Sequence, residues 1–193
     1  MTRLTLSLMT LATLAACATT TVEPNAPTVS SRDVDNAMFE AERIAALPFT
    51  PLSDLPSGGV TYRGHVGADV SGDAQGSILG DMTMLVDFGD NDISGSVTNI
   101  NLIDPNGTPN QRFGGSLGIT GTETRGDLDA FASGQISGVD NDGFAVESQM
   151  VLTLDGTVRD HFNEGDAVFG SATGFATGDF NMDVNGVFFG TAN

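Results

Sequence analysis

The sequence predicts an all-β protein: an antiparallel, up-and-down, eight-stranded β-barrel preceded by one short helix. Three observations support this class. Apolar and polar residues alternate along the segments between residues 60 and 190, turn-forming residues separate those segments at even spacing, and no helical periodicity interrupts them. Strands joined in this way can close into a barrel that has no exposed edge. A two-layer sandwich fits the same pattern.

Composition points to one acidic domain. A chain of 193 residues with 39% apolar content buries one core, and twelve Phe and seven Met must fill it because Trp is absent. The formal charge of −18, with Arg as every basic residue, disfavours nucleic acid and anionic lipid. It suits cationic partners, divalent ions or a saline medium, although a merely soluble acidic surface also explains it. One cysteine excludes an intramolecular disulfide.

The first 16 residues are expected to form a lipoprotein signal peptide. A short positive segment precedes the apolar run 4–14, which is too short to span a bilayer as a helix. The next feature is a tetrad that resembles the lipobox of bacterial lipoproteins: Leu14, Ala15, Ala16 and Cys17. In lipoproteins, cleavage before the cysteine is coupled to diacylglyceryl attachment at its sulfur.

This resemblance implies a mature chain that begins at Cys17 and carries acyl chains such as palmitate, which hold it on a membrane. Ala18 follows where retention in the inner membrane usually requires Asp, so the outer membrane is the expected location, facing either the periplasm or the cell surface. Loss of Arg3 takes the formal charge from −18 to −19. An ordinary signal peptide, cut near Ala16 or Ala18, is the alternative and leaves Cys17 lost or free.

Residues 17–58 are predicted to form a lipidated tether that contains the helix. The stretch 18–32 is polar and broken by Pro, which favours a flexible chain. A helix is predicted at 33–47, with Ser31 or Asp33 as its N-cap and Pro48 at its end. Its apolar residues fall at spacings of three and four: Val34, Ala37, Met38, Ala41, Ile44 and Ala45. Two roles stay open, covering a barrel mouth or ordering only on docking. An extended connector follows at 48–59.

Residues 59–193 are predicted to form the barrel domain. The eight expected strands are 60–70, 78–88, 93–103, 112–122, 127–137, 144–154, 167–180 and 184–190. The clearest hairpin joins the second and third strands, where Met82, Met84 and Val86 share one face and Leu85 is a large apolar exception on the other. Glycines within the strands permit the strong coiling of a small barrel.

Three stretches, 56–64, 86–95 and 186–193, resemble the barrel domain of transferrin-binding protein B-like surface lipoproteins, and the likeness covers residues 56–193. The resemblance implies an outer-membrane lipoprotein that binds a ligand or a protein, but it does not imply transferrin because no partner-contacting loop matches. Family members continue beyond the segment 188–193 into two further strands. Either an extra early strand therefore makes up the count, or the carboxyl end is truncated, the barrel is incompletely closed and an edge is exposed.

The sequence contains no pattern that predicts catalysis, a cofactor or a metal. Residues 114–118 match G-x-S-x-G, but the nucleophile elbow needs a strand-to-helix turn that is missing here. His65 and His161 are the only histidines, and two histidines with no Cys partner make poor zinc ligands. The acidic turns 89–92 and 140–143 are best explained by turn formation, with weak calcium binding as the alternative.

These features predict a non-enzymatic, lipid-anchored outer-membrane protein that captures a protein or solute ligand. The alternative is a lipocalin-like carrier that holds a small apolar molecule inside the barrel. Its candidate lining residues, which would serve a packed core equally well, are Met82, Met84, Met150, Phe88, Phe144 and Phe175. A third class, an integral outer-membrane barrel, is disfavoured because the Tyr and Trp of its aromatic girdles are missing.

Overall fold

The computed structural model describes residues 22–160 and 166–192, which form one antiparallel β-barrel and one helix. The elements are α1 (Ser31–Ala45), β1 (Gly59–Gly72), β2 (Gly76–Asp87), β3 (Asp92–Ile103), β4 (Pro109–Arg112), β5 (Gly114–Gly115), β6 (Leu117–Thr124), β7 (Asp127–Val139), β8 (Ala145–Arg159), β9 (Ala167–Gly178) and β10 (Met182–Ala192). The lipobox with Cys17, and also His161, lie outside the described residues. Within those residues, α1 is neither long nor apolar enough to span a bilayer.

The barrel closes where its last strand returns to its first. β10 pairs antiparallel with β1 from Tyr62↔Ala192 to Gly72↔Met182. Short segments β4, β5 and β6 together make the fourth barrel strand, because β4 and β6 pair with β3 while β5 and β6 pair with β7. The prediction of an eight-stranded up-and-down barrel is therefore confirmed. The sandwich and the exposed edge are wrong, and no extra early strand is needed, since β1, the first of the eight predicted strands, pairs with β10.

The predicted strands differ from the structure mainly at the fourth. Residues 112–122 were expected to form one strand, but the strand breaks at Phe113 and Ser116. At Phe113 the backbone N–H turns to the Ile100 carbonyl, at 2.8 Å, while the ring enters the core. The strand predicted at 167–180 ends at Gly178, so that Phe180 lies in the following turn.

The barrel interior is filled by side chains. Tyr62, Met82, Met84 and Phe188 are all buried, and the cavity among the inward-facing residues measures about 10 Å³. Polar residues dominate much of the outer wall, which is the reverse of porin-like barrels with an apolar outer face. Among the residues proposed to line an interior ligand site, the three methionines are buried inside and Phe88 packs against the core. The prediction that Phe144 and Phe175 line the interior is wrong, because their side chains are 39% and 50% exposed.

Glycines make room for the Phe188 ring in this interior. A Cβ on Gly156 would lie 2.6 Å from Phe188 Cζ, and one on Gly170 would lie 2.5 Å from Phe188 Cε1. The two glycines are paired across β8 and β9, so the ring from β10 lies over adjacent backbones. Glycine in these strands therefore trades side-chain packing of its own for a close approach by a neighbouring aromatic ring.

Helix α1 begins earlier than predicted and packs on the barrel wall. Its N-cap is Ser30, whose hydroxyl accepts a hydrogen bond from the Asp33 backbone while the Asp33 carboxylate accepts from Ser30. Hydrogen bonds from the Ser30 backbone and hydroxyl hold the pKa of Asp33 below its ordinary value. Ala37 and Ile44 are buried against the outer side of the barrel, next to Phe189. The prediction of Ser31 or Asp33 as the N-cap is wrong, because Ser30 holds that position. The prediction that the helix covers the barrel mouth is also wrong, because its apolar stripe meets outward-facing apolar residues of the strands.

The segment 22–30 is docked on the barrel, so the expectation of a flexible tether is wrong for this part of the chain. Val22 N–H donates to the Gly143 carbonyl at 2.8 Å, and Thr28 N–H donates to the side-chain oxygen of buried Asn101 at 2.9 Å. Backbone groups of the segment thus find hydrogen-bond partners on the barrel rather than in water. Residues 18–21 lie outside the described residues.

The connector after α1 pairs with the last residues of β8, which extend beyond β7, and then reaches one end of the barrel. Thr50 N–H donates to the Val158 carbonyl at 3.2 Å, which extends the sheet beyond the start of β7. Arg159 donates to the Leu47 carbonyl at 3.1 Å. Beyond a turn at 52–55, Leu55 packs against the core beside Gly126. The predicted extended conformation thus applies to only part of 48–59.

Candidate functional site

Four loops meet at one end of the barrel, which we call the mouth. The up-and-down order places the connections after β1, β3, β7 and β9 at the same end, and residues 22–24 join them there. Together they surround a cavity of about 730 Å³. The volume of this concavity lies within the range that ligand sites usually have.

The floor of the mouth is apolar and aromatic. Phe113 and Phe180 stack with ring centroids 5.9 Å apart and planes 10° apart, and Leu102 and Val146 lie beside them. Phe180 is fixed by Ser148, whose hydroxyl donates to the Phe180 carbonyl at 2.6 Å and accepts from its N–H at 3.1 Å. Both rings are largely buried, so the floor is set before any ligand arrives.

One wall of the mouth is held by a buried amide. Gln111 donates to the Val139 carbonyl at 2.9 Å and accepts from the Val139 N–H at 3.0 Å. β4 is not paired with β7, so this side chain supplies the hydrogen bonds that a strand backbone would otherwise make. Gln111 is buried with both polar ends satisfied, which favours a rigid wall.

The rim carries aspartates that are fixed by hydrogen bonds from loop backbone. Asp104 Oδ1 accepts from the backbone N–H groups of Asn106 and Thr108, at 2.8 and 3.0 Å. Asp140 Oδ1 likewise accepts from the backbone of its own loop, at 2.8 and 3.0 Å. Asp73 Oδ2 accepts from the Asn181 N–H at 2.8 Å. Asp104 and Asp140 are therefore oriented by their own turns, and Asp73 is oriented by the neighbouring connection between β9 and β10.

The mouth combines negative charge with an apolar base. Its described lining includes the carboxylates of Glu23, Asp73, Asp104 and Asp140, and no Arg or His. Like charges gathered at a cleft with a low-dielectric wall focus a negative potential there. Chemically, this arrangement can bind; it contains no nucleophile with an adjacent base.

The candidate residues from the sequence are not brought together. The acidic turn 140–143 lies at the mouth, whereas 89–92 lies at the opposite end. No group of three His, Cys, Asp or Glu side chains in the described part of the chain could hold a metal. His65 lies on the outer wall, where Nδ1 is 3.3 Å from the Asp81 carboxylate. Ser116 is exposed between β5 and β6, and no helix follows it.

Sequence reasoning missed a buried acidic group at the opposite end. Glu123 points into the barrel and accepts from the Gly126 N–H at 2.6 Å. Burial raises the pKa of Tyr62, and the charges of Asp166 and Glu123 raise it further. Burial also raises the pKa of Asp166, followed by the effect of Asp160. The strand pattern held a signal for Glu123, because it stands at an inward position two residues after Gly121.

A local signal for the mouth was also present. Each strand that runs toward the mouth is followed directly by an aspartate: Asp73, Asp104, Asp140 and Asp179. Asp179 too binds backbone, accepting from the Glu147 N–H at 3.0 Å. Comparison of the chain with protein-family profiles, curated protein sequences and solved structures finds no match, and the likeness to transferrin-binding protein B-like lipoproteins stays a prediction.

Proposed function

We propose that this protein is a non-enzymatic, lipid-anchored binding protein of the bacterial outer membrane that captures a solute or protein ligand at the barrel mouth. The observation that carries the proposal is the mouth cavity, about 730 Å³ with an aromatic floor inside an acidic rim. Cavities of this size, with a few oriented polar groups over an apolar base, are typical of ligand sites.

The filled interior favours the mouth over the lumen. The volume of the inner cavity, about 10 Å³, is far below that of ligand pockets, which is about 300 to 1,000 Å³. A lipocalin-like carrier would need a cavity inside the barrel, and here Phe188 and the methionines occupy that space. A small-molecule ligand is therefore placed at the mouth in this proposal.

The amino-terminal segment relates the mouth to the proposed anchor. Val22 is hydrogen-bonded to Gly143 at the mouth, and Cys17 is five residues earlier in the chain. Five residues span at most about 17 Å, whatever path they take. β8, with 15 residues, is about 50 Å long, so the two ends of the barrel are farther apart than this reach. A lipid on Cys17 would hold the mouth, rather than the opposite end, near the membrane.

Radiolabelled palmitate tests the anchor in a bacterial host that processes lipoproteins. We expect the full chain to incorporate label and to fractionate with the outer membrane, and Cys17→Ser to do neither. Label in both proteins, or in neither, would contradict the anchoring part of the proposal. The binding part is tested separately, because it depends on the mouth.

A mouth-filling variant tests binding. Gln75 lines the mouth and is exposed, so Gln75→Trp is expected to obstruct the cavity without disturbing the core. Asp90→Trp, on an exposed turn at the opposite end, is the matched control. The intact lipoprotein and both variants are compared by native mass spectrometry and by pull-down from envelope extracts. Loss of the captured species with Gln75→Trp alone supports the proposal, and equal capture by all three proteins overturns it.

A further inference from the structure

We infer that the ligand of the mouth is a small organic cation with an apolar body, such as an aryl-alkyl ammonium. This inference rests on the proposed binding function and adds the chemical class of the ligand. It depends on three features of the described residues: the sign of the charge at the rim, the orientation of the rim carboxylates, and the nature of the floor.

The charge at the mouth selects against anions. Four carboxylates line the cavity, from Glu23 and three loop aspartates, while the described lining contains no basic side chain. A fatty acid or a phosphate ester would bring like charge into this ring, and juxtaposed like charges suppress binding. A cation is attracted by the same groups at no cost of rearrangement, so the rim discriminates by the sign of charge.

The rim carboxylates are oriented yet retain a free oxygen. In both Asp104 and Asp140, Oδ1 takes the hydrogen bonds from the loop backbone. Oδ2 of each accepts no hydrogen bond from the described residues. An ammonium group can therefore donate to a carboxylate whose position is already fixed, and such charge-assisted hydrogen bonds are the strong ones. Little side-chain freedom is lost on binding.

The floor requires more than a bare ion. Phe113 and Phe180 are 4% and 7% exposed and form the base of the cavity, and the apolar surface open to a ligand also includes the half-buried Ala74 and Val146 and the exposed Val22. A hydrated inorganic cation would leave this apolar surface unused, whereas an aromatic or aliphatic body can cover it. An ammonium at the rim joined to an apolar group at the floor satisfies both parts of the cavity at once.

Three probes with the same phenethyl framework isolate the charge: phenethylammonium, phenethyl alcohol and hydrocinnamate. Each is titrated into the full chain carrying Cys17→Ser, so that no bilayer competes for the probes, and binding is followed by amide chemical shifts. We expect the ammonium probe to shift mouth resonances and to bind about tenfold or more tightly than the alcohol, with the carboxylate weakest. Added salt should reduce the preference for the ammonium probe.

A charge-removing variant supplies the control. In Asp104→Asn combined with Asp140→Asn, the amide oxygen can keep the loop hydrogen bonds while the charge is lost. The preference for ammonium over alcohol should shrink severalfold, and Asp90→Asn at the opposite end should leave it unchanged. Equal binding of the three probes overturns the inferred class but leaves binding at the mouth intact. No shift with any probe also overturns the inferred class, and the proposed function is then decided by the Gln75→Trp comparison.

Discussion

Gly156 is a sensitive test of how tightly the barrel interior is filled. A Cβ at this position would lie 2.6 Å from Phe188 Cζ, 2.7 Å from the Phe169 carbonyl oxygen and 2.9 Å from Gly170 Cα. Both the ring and the β9 backbone would have to move. Overpacking of this kind costs about 1–3 kcal/mol, while Gly→Ala gains about 0.4–1 kcal/mol through the unfolded chain. We expect Gly156→Ala to lower the free energy of unfolding by about 1–2 kcal/mol.

Gly118→Ala is the matched control, because a Cβ there meets only the Ser133 carbonyl oxygen at 3.9 Å. It should be neutral or slightly stabilising in urea unfolding. Gly156→Ala should cost less stability when Phe188 is already Leu, because Phe188 Cζ, the atom nearest to the new Cβ, is then absent. The coupling free energy between the two substitutions should be favourable by about 0.5–3 kcal/mol. Equal stability of both alanine variants, or no coupling with Phe188, would refute the assignment of the clash to this ring.

Three further predictions concern the segments around the barrel. Arg159→Ala removes the 3.1 Å hydrogen bond to Leu47 and should cost about 1–2 kcal/mol in urea, with faster hydrogen exchange in the connector; unchanged exchange would contradict it. Asn101→Ala removes the acceptor for Thr28 and should cost about 1–3 kcal/mol and expose the docked segment, which unaltered protection there would refute. Burial and two carboxylates raise the pKa of Tyr62. The phenolate absorbance of this single tyrosine should therefore not appear in the native protein at a pH of about 10, the ordinary pKa of tyrosine. Above that pH the tyrosine loses its proton only in the unfolded chain, so the free energy of unfolding should fall as the pH rises further. Titration of Tyr62 near the ordinary pKa in the folded protein would contradict the prediction.

The barrel was predictable because its signal is local. Each strand needs only alternation over a few residues, and the buried positions of Met82, Met84 and Val86 follow from that period. The packing position of α1 on the barrel was harder to predict, since it depends on which strands have apolar residues on their outer faces. The signal was nevertheless present in the consecutive apolar pairs 78–79 and 188–189. One member of each pair lies inside the barrel and the other, Leu79 or Phe189, lies under the helix.

The mouth was less predictable because its residues come from distant parts of the chain. The aspartates that follow the strands are visible in the sequence, but their convergence depends on the number of strands and on closure between β1 and β10. The floor was missed for a specific reason. Phe180 was placed at the end of a strand, whereas Ser148 holds it in the turn through hydrogen bonds that join residues 32 positions apart.

The packing of the barrel interior supports the proposed location of the ligand at the mouth. An eight-stranded barrel has an interior just wide enough for side chains, and Phe188 over paired glycines fills this one. Leu55 packs against the core beside a turn at the opposite end, and our proposal therefore places the ligand at the mouth. Under this proposal, stability and recognition are carried by different residues, since loops on a rigid scaffold tolerate change. Exchanging Asp104 for Asn should alter binding with little effect on unfolding, and Gly156→Ala should do the opposite.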